Sequence, residues 1–427
     1  MPSNLNILNA AQVARIMDDG KPRHGELQGR LDLVPGGGIA IRNGRIAAVD
    51  STDVILRDFR DAVPTIDATG MTVLPGLVEC HSHPIFAGNR HWEYVRRLQG
   101  ATSLQIRAEG GGIWSTILAT READDLSLIQ QAGHGYAAIL AGGVTTLEVK
   151  SGYGLTTPQE LRLLRLLRES STTTEMDLVY TFLGAHIAPQ DGPTPEDYAR
   201  VVREEMLPAV IAQGIAAFHD ITCEEGDFPA PLAMKLLEDS RRRGIPTRVH
   251  ADASSPSHGW RVAVEGGAVA ADHLTYTPDE DIRSVGATGT IAVLLPMAEQ
   301  FYLDDRKANA RLFIKNDVPL AIATDYCSSF QASSLTLSIA QACSWFRLTP
   351  AEAIVAATLN PAYVLKKNQD RGSIDPGKRG DLTIFACSHP NELGVKVGAP
   401  LVRYVISEGR VIHLGASAPV GLPCSGA

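Results

Sequence analysis

The sequence predicts an α/β protein built on a (β/α)8 TIM-type barrel, with a small β-sandwich domain formed by both chain ends. Three observations predict it. From about residue 76 to 370, short apolar runs alternate with long helical patterns, and eight of the runs read as strands. Residues able to do chemistry collect at the carboxyl ends of those runs, where a parallel barrel places its active site. Both chain ends instead carry short strands joined by tight turns.

Taken in order, residues 1–75 are sheet-like, and "GGGIAIRNGRIAAVD" reads as strand, turn at Asn43-Gly44, strand. Residues 371–427 repeat that style in "RGSIDPGKRGDLTIFACS" and "PLVRYVISEGRVIHLG", so the two ends are expected to share one composite domain around a barrel spanning 76–370. The barrel strands are "MTVLPGLVECHSH", "GVTTLEVKSGYG", "DLVYTFLGAH", "AAFHDITCEE", "IPTRVHAD", "AVAADHLTY", "TIAVLLP" and "PLAIATD". Helices between them include "TPQELRLLRLLRES", "TPEDYARVVREEMLPAVIAQG" and "PAPLAMKLLEDSRRRG". Two of these begin with Thr-Pro, a capping hydroxyl before a first-turn proline, and Gly244 suits a helix stop. A doubly wound open sheet is the alternative, but no G-x-G-x-x-G follows the first strand.

Composition narrows the partners. The chain has 427 residues, 44% hydrophobic and 20% charged, enough to bury a sizeable core. Its formal charge of −9 is interspersed without a Lys/Arg block, which argues against nucleic acid and for a small-molecule substrate. The first residues lack a signal-peptide core and no run reaches a membrane span, so a cytoplasmic protein is expected. Cys80, Cys223, Cys327, Cys343, Cys387 and Cys424 form no C-x-x-C pair, which suggests small buried side chains and neither disulfides nor a thiolate zinc site.

His81 and His83 end the first run, Lys150 and Tyr153 the second, His186 the third, His250 the fifth, His273 the sixth and Asp325 the last. Two histidines two apart on an extended segment point to one side and can chelate one ion. Alone this is weak. His250 and His273 strengthen it if the barrel forms, and Asp325 can add a carboxylate. Such a nitrogen and oxygen set suits one divalent metal, zinc first and iron or manganese next. His24, His134, His389 and His413 receive no role. His91, His219 and His258 are undecided, His258 because it lies eight residues past His250 in a strand-to-helix loop.

These residues resemble the amidohydrolase superfamily, and within it the imidazolonepropionase family. The resemblance runs through "PGLVECHSHPIFAGNRHWEYVRRLQG", "GGGIWSTILATR", "GVTTLEVKSGYG", "TFLGAH", "EEMLPAV", "HAD", "ADHL", "AVLLP", "ATD", "FRLTPAEAI" and "GSIDPGKRGDL". It implies a hydrolase with His81, His83, His250 and Asp325 around one zinc or iron ion, and with Asp325 taking up the proton of the attacking hydroxide. It implies His273 polarising the substrate, Arg90, Tyr153 and His186 clamping a propionate-bearing ring, and a homodimer.

Two departures fall at the chemistry. The family follows His-Ala-Asp with Glu or Gln, whereas "HADASSPSHGW" puts Ala253 there. The family follows its last ligand with any residue and then Asn-Pro-Gly-Thr, whereas "ATDYCSSFQASS" has Tyr326, Cys327, Ser328, Ser329 and Phe330. Expelling a lactam nitrogen needs a proton, and a positioned acid contributes ~10²–10⁴-fold. Sulfide leaves more readily. The expected function is therefore hydrolysis of an imidazolone- or hydantoin-type ring carrying a propionate, leaning to desulfuration of the 2-thioxo analogue met in ergothioneine breakdown. Cys327 is then a contact for the sulfur or a soft extra ligand, against the plainer reading of a pocket-lining residue. Lactam opening to N-formimino-glutamate, as in histidine breakdown, is the alternative. A heterocycle deaminase ranks third, and a non-catalytic binding protein last, since all four ligand positions are filled.

Overall fold

A computed structural model describes residues 3–285, 289–303 and 305–415, and Cys424 lies outside them. Among the described residues, sixteen strands form two sheets. Five precede the barrel: β1 (Leu5–Ala14), β2 (Leu33–Arg42), β3 (Arg45–Ser51), β4 (Thr65–Asp67) and β5 (Thr72–Pro75). Eight build it: β6 (Leu77–Glu79), β7 (Val144–Lys150), β8 (Asp177–Ala185), β9 (Phe218–Cys223), β10 (Thr247–Ala251), β11 (Ala270–His273), β12 (Ile291–Leu294) and β13 (Leu320–Ile322). The last three are β14 (Leu382–Phe385), β15 (Val402–Ser407) and β16 (Arg410–Leu414).

The barrel strands run β6 to β13 in chain order and are all parallel. Its ends meet at the future site. The Glu79 carboxylate accepts from the His81 amide (2.9 Å) and the Thr324 amide (3.0 Å), and the His83 amide donates to the Tyr326 carbonyl (2.7 Å). Closing β6 against β13 is thus the same event that brings His81 and His83 beside Asp325. All eight strands expected from the sequence are present, and the (β/α)8 reading holds.

The second sheet has the order β16-β15-β14-β5-β1-β2-β3, with β4 beside β1, so strands from both chain ends share it. Its apolar face includes Ile7, Val13, Ile39, Ile41, Val73 and Ile384. The apolar run "MTVLPGLVECHSH" divides at Gly76: β5 belongs to this sheet and β6 to the barrel. A Cβ at Gly76 would lie 2.2 Å from Thr145 Oγ1, so the crossing requires glycine.

Helix ends follow the chain's own signals. The Thr156 and Thr194 hydroxyls accept from the Gln159 and Asp197 amides, with Pro158 and Pro195 in the first turns. Gly244 follows the helix Ala230–Arg242 at φ 78°, a left-handed stop. The segment expected as one helix from Thr194 differs: Pro195–Val201 and Leu207–Gln213 are joined by a π-turn, Val202–Met206. Pro208 explains it, because its ring excludes the regular helical bond one turn back and a wider turn relieves the clash. Among the described residues, no helix is long and apolar enough to cross a membrane.

Candidate metal centre and substrate pocket

Strand alternation sets up the site. Glu79 and His81, Glu148 and Lys150, and Arg248 and His250 are pairs two apart, so each pair shares the inner face of its segment. His273 is the last residue of β11 at φ 76°, and Asp325 follows β13 at φ 54°. Left-handed backbone at non-glycine residues is costly, and its occurrence at both positions marks a segment held by its surroundings.

His81, His83, His250, His273 and Asp325 converge. His81 Nε2 lies 3.2 Å from His83 Nε2, and these nitrogens lie 3.6 and 3.5 Å from Asp325 Oδ1. The His81 ring stands 4.6 Å from that of His250 and 5.4 Å from that of His273. Burial drives the His81, His83 and His273 imidazoles well below their ordinary titration range, leaving them neutral with lone pairs available. Burial also pushes Asp325 well above the usual carboxylate range, and no ammonium or guanidinium lies within ion-pair distance of it among the described residues. His250 Nε2 is buried without a partner. Neutral imidazoles, an unmatched carboxylate and an orphaned ring nitrogen, brought together as His81, His83 and Asp325 and as His81, His250 and His273, fit a divalent cation.

Carboxylates stand behind two of these rings. Asp220 Oδ2 lies 3.1 Å from His250 Nδ1, and Asp272 Oδ2 lies 3.5 Å from His81 Nδ1. That arrangement directs each Nε2 toward the common point.

Of the expected clamp residues, His186 and Tyr153 lie beside the His83 imidazole. His186 stacks on His83 at 5.3 Å and its Nδ1 donates to the Gly152 carbonyl (3.0 Å), so Nε2 is the acceptor. Burial lowers this imidazole to about 3, so it is neutral. The Tyr153 ring lies 5.5 Å from His186, and burial keeps its phenol protonated. Arg90 is buried but not free. Its Nε and Nη2 each donate to Glu93 at 2.8 Å, which leaves Nη1 for another acceptor.

The two departures also resolve. Ala253 is half-buried, and its serine neighbours do not replace a missing acid. The buried Glu224 carboxylate at the end of β9 accepts from the Ala253 and Ser254 amides and from the Ser254 and Ser255 hydroxyls. In the other segment, Tyr326 turns into the helix layer, where its ring meets Gly135 and Phe86. The Ser328 hydroxyl pairs with Thr116 (2.9 Å), and Phe330 stacks on Phe301 at 4.8 Å. Cys327 remains near Tyr153 and Arg90. Burial pushes its thiol up to about 12, so it is neutral, with Sγ 3.7 Å from the Phe330 carbonyl. Among the described residues Cys327 belongs to none of the clusters whose donor atoms could hold an ion, which suits a pocket wall better than an extra metal ligand.

The undecided histidines lie elsewhere. His258 precedes the helix Gly259–Glu265 and pairs with Asp281 (2.7 Å), His219 pairs with Ser240 (2.7 Å), and His91 bonds Asn89. Sequence reasoning gave no role to Glu79, Glu93, Glu148, Asp220, Glu224, Arg248 and Asp272. The available signal was a charged residue inside an otherwise apolar strand, which is costly unless paired.

The profile of the amidohydrolase family matches residues 72–413. The chain is 40% identical over 388 residues to an imidazolonepropionase of Geobacillus kaustophilus, covering 90% of this chain and 91% of that one. It is 38% identical over 403 residues to an imidazolonepropionase of Desulfotalea psychrophila, covering 93% and 97%. Among solved structures it resembles a triazine hydrolase variant (TM-score 0.73, 16% identity, 99% and 97% covered). It also resembles an adenosine deaminase from Xanthomonas campestris with bound zinc (TM-score 0.70, 17% identity, 96% and 93% covered). At such identities the structural likeness concerns the fold.

Proposed function

Since the chain belongs to the amidohydrolase family and is a hydrolase, we propose that it acts on an imidazolone- or hydantoin-type ring bearing a propionate, with one divalent metal ion, zinc before iron or manganese. The observation that carries this is the convergence of His81, His83, His250 and Asp325 beside Arg90, Tyr153 and His186.

A divalent ion held by His81, His83, His250 and Asp325 would lower the pKa of water to about 7 and polarise the scissile bond. The chain's own groups do the rest. Asp325 takes the proton of the attacking water. His273 hydrogen-bonds the reacting oxygen or sulfur. Arg90 Nη1 and the Tyr153 hydroxyl hold the propionate, and His186 Nε2 accepts from a ring N–H.

The relatives support lactam opening, the imidazolonepropionase reaction. Water adds to the ring carbonyl carbon, the C–N bond breaks, the nitrogen takes a proton, and N-formimino-glutamate results. One observation favours a second reading. Ala253 offers no acid for that nitrogen, and Glu224 has engaged the neighbouring serine hydroxyls. A 2-thioxo ring avoids the difficulty: water adds to the thiocarbonyl carbon, the C=S bond gives way to C=O, and hydrogen sulfide leaves. The two substrates differ in which ring carbon faces the centre.

The test is to incubate metal-loaded enzyme with the imidazolone propionate and with its 2-thioxo analogue, following ring absorbance and sulfide. Rapid imidazolone loss, with no sulfide from the analogue, selects lactam opening. Sulfide release leaving a hydantoin selects the second reading. Turnover of neither overturns both.

A further inference from the structure

We propose that Lys150 is a positioning residue whose ammonium stands where a second cation would otherwise lodge, and that it thereby holds a one-ion centre in register. The proposal rests on the reading of His81 and His250 as ligands.

Five charged side chains, Glu148, Lys150, Asp220, Arg248 and Asp272, lie in the barrel interior beneath the imidazoles with no exposed surface. They form an unbroken chain from one ligand imidazole to the other. Asp220 Oδ2 faces His250 Nδ1 at 3.1 Å and accepts from Lys150 Nζ at 2.7 Å. Lys150 Nζ also donates to Glu148 at 2.8 Å. Glu148 Oε1 lies 2.6 Å from Arg248 Nη1, whose other terminal nitrogen donates to Asp272 Oδ1 at 2.7 Å. Asp272 Oδ2 then faces His81 Nδ1 at 3.5 Å.

The donor atoms of Asp220, His250 and Asp272 all lie within 4.8 Å of one another, a set that would itself suit a divalent ion. Lys150 Nζ already holds the Asp220 oxygen such an ion would need. A second divalent ion would also sit against two fixed cations, since Arg248 is on the Asp272 side. Among these five side chains, three carboxylates against two cations leave an excess of one negative charge. Without Lys150 the excess doubles in a space closed to solvent. Asp220 then loses its partner and is free to turn from His250 toward any cation that enters.

The test measures zinc affinity by chelator competition and zinc stoichiometry on the full chain. Lys150→Ala is expected to bind the first ion about 10–100-fold more weakly, the usual effect of losing an outer-shell partner, and to take up a second ion in excess zinc. Unchanged affinity overturns the proposal whatever the stoichiometry. If Lys150→Ala does not fold, Asp220→Asn, of equal volume, substitutes for it: a comparable loss of affinity supports the proposal and wild-type affinity overturns it. His250→Ala separates the underlying reading, because wild-type zinc binding in that variant sinks the ligand assignment itself.

Discussion

Substituting Glu224→Gln tests how the segment after His250 is held. The Glu224 carboxylate receives two backbone amides and two serine hydroxyls from residues 253–255, with the Ser255 hydroxyl at 2.6 Å. Hydrogen bonds to a charged group are worth ~1.5–3 kcal/mol and neutral ones ~0.5–1.5 kcal/mol, so removing the charge weakens each by about 1 kcal/mol. Part of that is offset. Burial pushes the Glu224 carboxyl up from its ordinary value, meaning that the charge itself is costly to keep in place. The net destabilisation is therefore about 1–2 kcal/mol for Glu224→Gln, and about 3–5 kcal/mol for Glu224→Ala, which removes the acceptors altogether. The sharper effect is on geometry. Freed amides at Ala253 and Ser254 should exchange hydrogen faster, and a 1 Å displacement of a substrate-lining segment costs ~10²-fold in kcat/KM. Metal content should not change, because His250 is held in β10 by its strand neighbours. Urea denaturation, amide exchange and steady-state kinetics on the same preparation measure all three. Wild-type exchange at residues 253 and 254 together with kcat/KM within about twofold of the parent refutes the anchoring role.

Two further outcomes follow from pairs described above. Arg90→Lys supplies a single ammonium that cannot both satisfy Glu93 and reach a carboxylate, so KM should rise about 10–100-fold with kcat nearly unchanged; an equal fall in kcat and kcat/KM would place Arg90 at the reacting bond instead. Asp18 accepts from Lys378 Nζ (2.8 Å) and the Tyr363 hydroxyl, and although burial opposes it, these donors hold the carboxyl below its ordinary 3.8. A depressed folded-state pKa contributes stability that is complete above 3.8 and disappears as pH falls through the lower folded value. Acid melts of Asp18→Asn should accordingly lose that component of the pH dependence below about 4, and coincident wild-type and variant curves would remove the tie its weight.

Much of the fold was legible because six of the eight apolar runs end in the polar residues named above, and that texture belongs to parallel sheets. The division of the first run at Gly76 was hidden for the same reason. β5 and β6 are both apolar, and nothing in composition distinguishes a strand entering one sheet from its continuation into the next. The π-turn at Val202–Met206 escaped because its cause, Pro208, sits two residues past it inside a helical pattern that continues to Gln213. At the site, His81, His83, His250, His273 and Asp325 were readable from strand ends. The groups behind them were not, since Asp220 and Asp272 acquire meaning only when β9, β10 and β11 lie side by side.

The segment after Asp325 shows how a local substitution is absorbed by packing and what it leaves for chemistry. Tyr326 is too large for the site and is accommodated in the helix layer only because the helix Asp125–Ala141 presents Gly135 to it; a Cβ there would stand 2.9 Å from the Tyr326 ring. Turning that ring outward fixes the next residues: Ser328 reaches Thr116, and Phe330 joins the stack in which Phe301 also meets Tyr94 at 4.9 Å. The aromatic stack therefore joins the loops after β6, β12 and β13 at the barrel mouth. Cys327 lies near Arg90 and Tyr153, and the Ser328 hydroxyl also hydrogen-bonds Tyr153. A neutral thiol in that place is a weak acceptor and is polarisable. Gly135 in the helix layer thus sets where Tyr326 goes, and through it how the rest of the segment packs.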